Sequence, residues 1–348
     1  MAAMNALKVL AVLALMAGLH PLLAFALLGI GAAAYAPAKY GLVTELAGEH
    51  QLVAANGWLE VTVVAAVLLG AALGGALVSP ALLQGLAPRL LDGLGLAGTA
   101  PLQVSAALVL ALHGVAAWLN VGLPDSGARY ARCAWHPGAL TRELAGAQRA
   151  LWRDADGGLS LAVTTLFWGV SAVMQFAVIR WAGEELGLSL SQAAMLQAAV
   201  ALGVVGGAAL AGRRVALAAA RRVLPVGVVL GLLLPLAAPL HSVWLALPLM
   251  LAVGVAGGYL VVPMNALLQH RGAALLTAGR SIAVQNFNEN GCVLLMMAAY
   301  AAAGAAGAPI VPLMGGLGLA VAGFMALAVR HSRRMDAAGP VDVAAQRA

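Results

Sequence analysis

The stretch Gly31–Glu60, GAAAYAPAKYGLVTELAGEHQLVAANGWLE, has a counterpart far down the chain in Gly257–Glu289, GGYLVVPMNALLQHRGAALLTAGRSIAVQNFNE. Each copy opens on a Gly-rich apolar helix end that runs into a proline, Pro37 or Pro263. A polar residue follows, Lys39 in one copy and Asn265 in the other. A short loop then leads into a new apolar helix. That helix carries a glutamate near its start, Glu60 or Glu289, with an amide one turn before it, Asn56 or Gln285. The proline-to-glutamate separations are 23 and 26 residues, so the copies match within one short gap. Self-similarity of this kind implies two homologous halves, each using the hairpin once.

Composition says what the halves are made of. Hydrophobic residues are 63% of the chain, charged residues 9%, and the mean hydropathy is +0.95. Soluble domains carry about 25% charge, so this is an integral membrane protein. Its apolar runs are ~20 residues long and Ala/Leu/Val/Gly-rich, which predicts helices; a barrel would show short alternating strands. No cleavable signal peptide precedes the first apolar run. Paired halves in a helical membrane chain are a feature of the major facilitator superfamily (MFS). The expected fold is therefore an all-α polytopic membrane protein with two MFS-type bundles.

Ten spans are expected, at roughly 6–18, 22–36, 57–78, 101–121, 159–182, 192–211, 223–239, 243–263, 281–303 and 309–329. They divide the chain into a four-span bundle over 1–121, a basic cytoplasmic linker over 122–158, a six-span bundle over 159–330 and a disordered tail over 331–348. Within the linker, 138–152 is a candidate surface helix between the breakers Pro124 and Pro137. With both termini placed in the cytoplasm, seventeen Lys and Arg fall inside and only Arg89 and Arg180 outside. That asymmetry is the bias expected of inner-membrane proteins. Only two of the 19 basic residues are lysines, which with the abundant Ala and Gly points to a GC-rich bacterial coding sequence. The repeat lies on the second and third spans before the linker but on the fourth and fifth after it. The first half thus lacks two helices relative to the second, as though the chain were truncated or its start assigned late.

Chemistry-bearing motifs are few. Two cysteines, Cys133 and Cys292, and seven scattered histidines suggest neither a disulfide framework nor a metal site. There is no Gly-x-Ser-x-Gly, P-loop or His-Glu-x-x-His, so an enzyme and a bound cofactor are not expected, and transport would be passive or ion-coupled. No aromatic-interleaved basic patch suggests nucleic acid. Ionisable and amide groups inside spans are costly and tend to face a cavity. Glu60 and the run Gln285-Asn286-Phe287-Asn288-Glu289-Asn290 qualify. Gln285 and Glu289 share one helix face, Asn286 and Asn290 another. The cavity candidates are Lys39, Asn56, Glu60, Gln175, Asn265, Gln285, Asn286, Glu289 and Asn290. Lys39 is read either as a snorkelling anchor or as a partner of Glu45 or Glu60. Arg180 reads as a membrane-edge anchor, and Asn120, in the fourth span, as a packing residue. Gly70/Gly74, Gly227/Gly231 and Gly254/Gly258 are spaced for close helix approach, and Pro37 and Pro263 are candidate bending points during gating.

Four stretches, GIGAAAYAPAKYG at 29–41, NGWLEVTVVAAVLLGAALGG at 56–75, Leu166-Phe167-Trp168-Gly169 and the region from Val262 to Asn290, resemble the lysophospholipid transporter (LplT) family of the MFS. The resemblance covers nearly the whole chain. It implies a twelve-helix facilitator of a Gram-negative inner membrane. Such proteins flip lysophosphatidylethanolamine and lysophosphatidylglycerol from the outer to the inner leaflet without ATP or an ion gradient. A cytoplasmic-side acyltransferase/acyl-ACP synthetase then re-acylates them. The family's first two helices, with an acidic residue in the first, have no match here, and Gln175 stands where many relatives carry Arg. The rival readings are a proton-coupled MFS exporter of drugs or metabolites and an inactive truncated transporter.

Overall fold

The computed structural model describes residues 2–96, 100–129 and 136–337. Expectations that fall on Arg132, Cys133 and the chain beyond 337 lie outside the described residues. Among the described residues twelve α-helices follow one another: α1 (Ala2–Met16), α2 (Pro21–Leu46), α3 (Leu52–Leu77), α4 (Ala87–Gly93), α5 (Leu102–Val121), α6 (Pro137–Arg153), α7 (Ala155–Glu184), α8 (Leu190–Arg214), α9 (Leu224–Ala237), α10 (Val243–Leu275), α11 (Ala278–Ala305) and α12 (Ile310–Ala337). A 3₁₀ turn, Glu49–Gln51, leads into α3, and a π-helical turn, Ala81–Leu86, leads into α4.

Among the described residues eight helices are long and apolar enough to cross a membrane, against the ten spans expected. Two physical reasons account for the difference. Helix α1 has 15 residues, about 22 Å of rise against a ~30 Å hydrocarbon core. Helix α11 has 28 residues, but the run from Gln285 to Asn290 dilutes its hydropathy. The expected surface helix appears as α6, with Pro137 at its first turn. At the C-terminal end α12 continues through 331–337, residues assigned to a disordered tail on sequence grounds.

Both copies of the repeat take one form. The first runs from α2, across the connection at 47–51, into α3; the second runs from α10, across 276–277, into α11. Pro37 and Pro263 lie inside continuous helices, α2 and α10. Neighbouring helix starts are set by side-chain caps. Asp154 accepts from the Gly157 N–H at 2.7 Å at the start of α7. Ser189 and Gln192 form a reciprocal capping box on α8, and Thr277 caps α11.

The chain forms two compact units, Met1–Leu46 with Ala65–Arg132, and Ala47–Val64 with Cys133–Ala348. The division passes through α3, whose first half belongs to the second unit. In the first unit α1 packs on α2 and α5. Gly31 admits this approach: a Cβ there would lie 2.9 Å from the Lys8 side chain and 3.2 Å from the Met4 carbonyl. Hydrogen bonds from Gln103 Nε2 to the Met16 carbonyl (3.1 Å) and from Ser105 Oγ to the Leu77 carbonyl (2.6 Å) tie α5 to its neighbours.

The second unit is built on glycine contacts between helix backbones. Gly203 and Gly207 of α8 meet Gly254 and Gly258 of α10, so that a Cβ at any of the four would collide with backbone atoms of the facing helix. Gly231 of α9 crosses Gly318 of α12 in the same way. Leu52 and Val53, at the start of α3, join the buried cluster formed by Leu260, Val261, Met264 and Met325. A second cluster surrounds the fully buried Trp181, whose Nε1 donates to the Ala238 carbonyl at 2.9 Å. The expectation for Gly70 and Gly74 needs correction. Among the described residues of their unit nothing lies within 4 Å of a Cβ built on either, so neither glycine makes a close helix contact there.

Candidate functional site

The polar candidates of the second unit gather on four helices. Gln285 of α11 is 7% exposed and central. Its Nε2 donates to Asn265 Oδ1 on α10 at 2.9 Å and to Glu289 Oε1, one turn on, at 2.8 Å. The Thr164 hydroxyl of α7 hydrogen-bonds the same carboxyl, and the Glu60 carboxylate of α3 acts on it electrostatically. The glutamates of the two repeat copies thus lie in one unit and act on each other electrostatically. Coulomb repulsion between two carboxylates in a low-dielectric setting is large. It falls when a cation or a hydrogen-bond donor sits within reach of both. The arrangement is suited to holding a positively charged or hydroxyl-bearing group.

Asn56, one turn before Glu60, has a different position. It is 4% exposed. Its Nδ2 donates to Gln269 Oε1 at 2.8 Å and to the Leu52 carbonyl at 2.9 Å, and its Oδ1 accepts from Gln269 Nε2 at 2.9 Å. The amide is saturated by a reciprocal pair that joins α3 to α10 and does not face a cavity. Sequence reasoning missed Gln269, an amide one turn beyond Asn265 near the end of a long apolar helix.

The rest of the α11 run splits by face. Asn288 donates to Gln148 Oε1 of α6 (2.9 Å), fastening the linker helix to α11 one residue before Glu289. The ion pair between Arg280 and Glu143 makes a second attachment. Asn290 is exposed and folds its Nδ2 back on the Asn286 carbonyl at 2.7 Å. Asn286 and Asn290 thus lie away from the Gln285/Glu289 face.

Gln175 lines a separate cavity of about 230 Å³ inside the second unit. Its walls are apolar, among them Phe167, Met174, Leu230, Met250 and Met325; Ser171, Gln175 and Gln197 are its polar members. Gln197 Nε2 donates to the Gln175 carbonyl at 2.6 Å. Neither Glu60 nor Glu289 lines this space, so the structure does not bring Gln175 to the carboxylates. Arg180 pairs with Glu184 (2.7 Å) and donates to the Ala308 carbonyl (3.0 Å), which places it at a helix-end loop as expected of an edge anchor.

In the first unit Lys39 stacks its Nζ 4.8 Å above the Tyr40 ring, and Glu45 accepts from Ser126 Oγ at 2.5 Å. Lys8 projects from the middle of α1 onto α2, with its Nζ 4.4 Å from the Tyr35 ring centroid. Sequence reasoning had placed it among the loop cations.

At the start of α7 an ion network joins four elements. Arg271 of α10 binds Asp154, and Arg221 meets Asp156 (3.5 Å) and Asp336 of α12 (2.5 Å). Partial burial pushes the Asp154 carboxyl up, but the Arg271 guanidinium and the Gly157 N–H outweigh it and hold the group below the usual carboxylate range. In the exposed loop after α5, Arg129 and the Gly127 N–H hold Asp125 down at about 2. Among the described residues no group of three or more His, Cys, Asp or Glu is placed to hold a metal ion.

No family model matches the sequence. The chain is 38% identical over 308 residues to "Lysophospholipid transporter LplT" of Yersinia pestis (strain Pestoides F), covering 88% of this chain and 71% of that protein. The protein of the same name from Yersinia pseudotuberculosis serotype O:3 (strain YPIII) matches with the same identity and coverage. Among solved structures, a bacterial homologue of the iron transporter ferroportin in an outward-facing state aligns with a TM-score of 0.66 at 15% identity, over 95% of this chain and 82% of that one. That likeness is one of fold alone, and it agrees with the helical, polytopic architecture of the described residues.

Proposed function

The chain belongs to the lysophospholipid transporter family, and from that premise we propose that it carries lysophosphatidylethanolamine and lysophosphatidylglycerol from the outer to the inner leaflet of a bacterial inner membrane. The observation that carries the mechanistic part is the convergence of Glu60, Thr164, Asn265, Gln285 and Glu289 from four helices. A lysophospholipid headgroup offers an ammonium or hydroxyls to such a cluster. Glu289, oriented by the Gln285 amide, and Glu60 receive the donor-bearing end of the headgroup. Lys39, on α2 of the first unit, is a separate polar candidate on the transport path. Asn265 steers Gln285, and Asn286 and Asn290 are polar steps on the adjoining face. Pro37 and Pro263 are the points at which α2 and α10 flex during gating. Asn56 acts through helix placement, because its amide is already occupied.

The acyl tail has no counterpart in that cluster. It follows apolar surface, and the cavity beside Gln175 offers such surface. Both termini are read as cytoplasmic from the excess of loop Lys and Arg on that side, sixteen to two once the mid-helix Lys8 is set aside. Delivery to the inner leaflet supplies substrate to a cytoplasmic acyltransferase/acyl-ACP synthetase, a partner in function. The protein itself transports and does not catalyse.

The test is uptake of labelled lysophosphatidylethanolamine by spheroplasts that express the chain, followed as conversion to diacyl lipid with and without an uncoupler. Uptake that persists in the uncoupler is expected. Uptake that collapses with the proton gradient, or that equals the empty-vector control, overturns the proposal.

A further inference from the structure

Lys8 lies in the middle of the apolar helix α1, about 12 Å of helix before its end at Met16. An ionisable group on so apolar a helix is costly and is retained where it has a partner. Among the described residues no carboxylate is within ion-pair distance of Lys8. Its Nζ is held 4.4 Å from the Tyr35 ring, a contact that leaves its N–H donors available. Tyr35 is itself fixed, since its hydroxyl donates to Asn120 Oδ1 at 2.9 Å. Three residues before Lys8, on the same face of α1, Asn5 is 5% exposed, and its Nδ2 has no hydrogen-bond partner. An orphaned buried amide donor is costly and marks a place where an acceptor would be favoured. Two donor groups, one of them charged, therefore share one face of α1, and behind them Tyr35 is held by Asn120 Oδ1.

We propose that Lys8 and Asn5, braced by Tyr35 and Asn120, form a binding site for the phosphodiester of a membrane lipid. A phosphodiester carries one negative charge and only acceptor oxygens, which complements a donor-only pair. Lys8 Nζ supplies the charge-assisted bond and Asn5 Nδ2 a second hydrogen bond to another oxygen. Gly31 keeps α2 close enough for the Tyr35 ring to stand under the ammonium. That the phosphodiester belongs to the transported lysolipid, and not to a resident diacyl lipid, rests on the function proposed above.

The test uses the full chain, purified and reconstituted in nanodiscs of zwitterionic lipid. Binding of lysophosphatidylglycerol is compared with binding of a monoacylglycerol of the same tail, which lacks the phosphate. Wild type is expected to prefer the phosphate-bearing lipid by roughly tenfold or more, the scale of one charge-assisted hydrogen bond. Lys8→Met removes that preference and Lys8→Arg keeps most of it. Asn5→Asp provides the carboxylate that Lys8 lacks, so it is expected to raise the thermal midpoint while still losing the preference. That variant keeps the test decisive if Lys8→Met fails to fold. Competition with diacyl phosphatidylglycerol separates the sources. Weak competition assigns the site to the lysolipid, and equal competition assigns it to a resident lipid whether or not transport occurs. Unchanged preference in both Lys8→Met and Asn5→Asp overturns the site.

Discussion

Gly254→Ala isolates the contact that organises the second unit. A Cβ at this position would collide with the Val200 carbonyl and come within 2.9 Å of Gly203 Cα. Both are backbone atoms of α8, so no side chain can rotate to make room. Restoring ordinary contact requires α8 and α10 to separate by roughly 1 Å along their shared seam. Overpacking of this sort costs about 1–3 kcal/mol. For a unit of this size that corresponds to a fall of about 2–10 °C in the thermal midpoint. Gly70→Ala is the internal control, because a Cβ there meets nothing within 4 Å. Both variants gain one methyl and the helix propensity of alanine, worth up to ~1 kcal/mol. Only the facing backbone differs. The assay is intrinsic tryptophan fluorescence of detergent-purified protein during heating, which reports on the buried Trp181. Gly70→Ala is expected to match or slightly exceed wild type. A Gly254→Ala midpoint equal to wild type, or a Gly70→Ala midpoint as low as that of Gly254→Ala, would refute the packing argument.

Two further predictions concern polar contacts. Asn56→Leu and Gln269→Leu each strand a buried amide, so each lowers the thermal midpoint. The double variant recovers part of the loss, with a coupling of about 0.6–1.7 kcal/mol as found for interhelical hydrogen bonds in membranes; additive losses would contradict the reciprocal pair. Asp154→Asn keeps a good N-cap but removes the charge facing Arg271, at about 1 kcal/mol because the pair still touches solvent. The folded carboxyl is held below its unfolded value near 3.9, so its stabilisation is present above that pH and fades as pH falls through the lower folded value. The wild-type advantage over Asp154→Asn in thermal melts is therefore expected to be constant at neutral pH and to shrink below about pH 4; an advantage that grows on acidification would reverse the sign of the linkage.

Much of this architecture was legible in the sequence because membrane helices obey a simple rule of length and hydropathy. The repeat read Glu60 and Glu289 as lying near the starts of corresponding helices, and they sit about two to three turns inside α3 and α11; Gln285 and Glu289 share one face, as their spacing implied. What the sequence lacked was knowledge of the facing surface. Gly70/Gly74 and Gly254/Gly258 share one spacing, yet only the second pair meets another backbone. Asn56 looked equivalent to Gln285 by position in the repeat. Its role was decided by Gln269, more than two hundred residues away. Lys8 carried no motif, and its importance emerges only once Tyr35 and the orphaned Asn5 are seen beside it. The polar run of α11 had the opposite effect: it marked the site and at the same time weakened the helix as a span.

The most direct test of the central claim is translocation of fluorescent lysophosphatidylethanolamine by purified protein in proteoliposomes, read by extraction of outer-leaflet lipid with albumin. Wild type is expected to move the lipid to the protected leaflet without ATP or an imposed gradient. The double variant Glu60→Gln/Glu289→Gln is expected to slow that movement at least tenfold while keeping the wild-type thermal midpoint. A double variant that keeps pace with wild type, or wild-type vesicles no faster than protein-free ones, would contradict it.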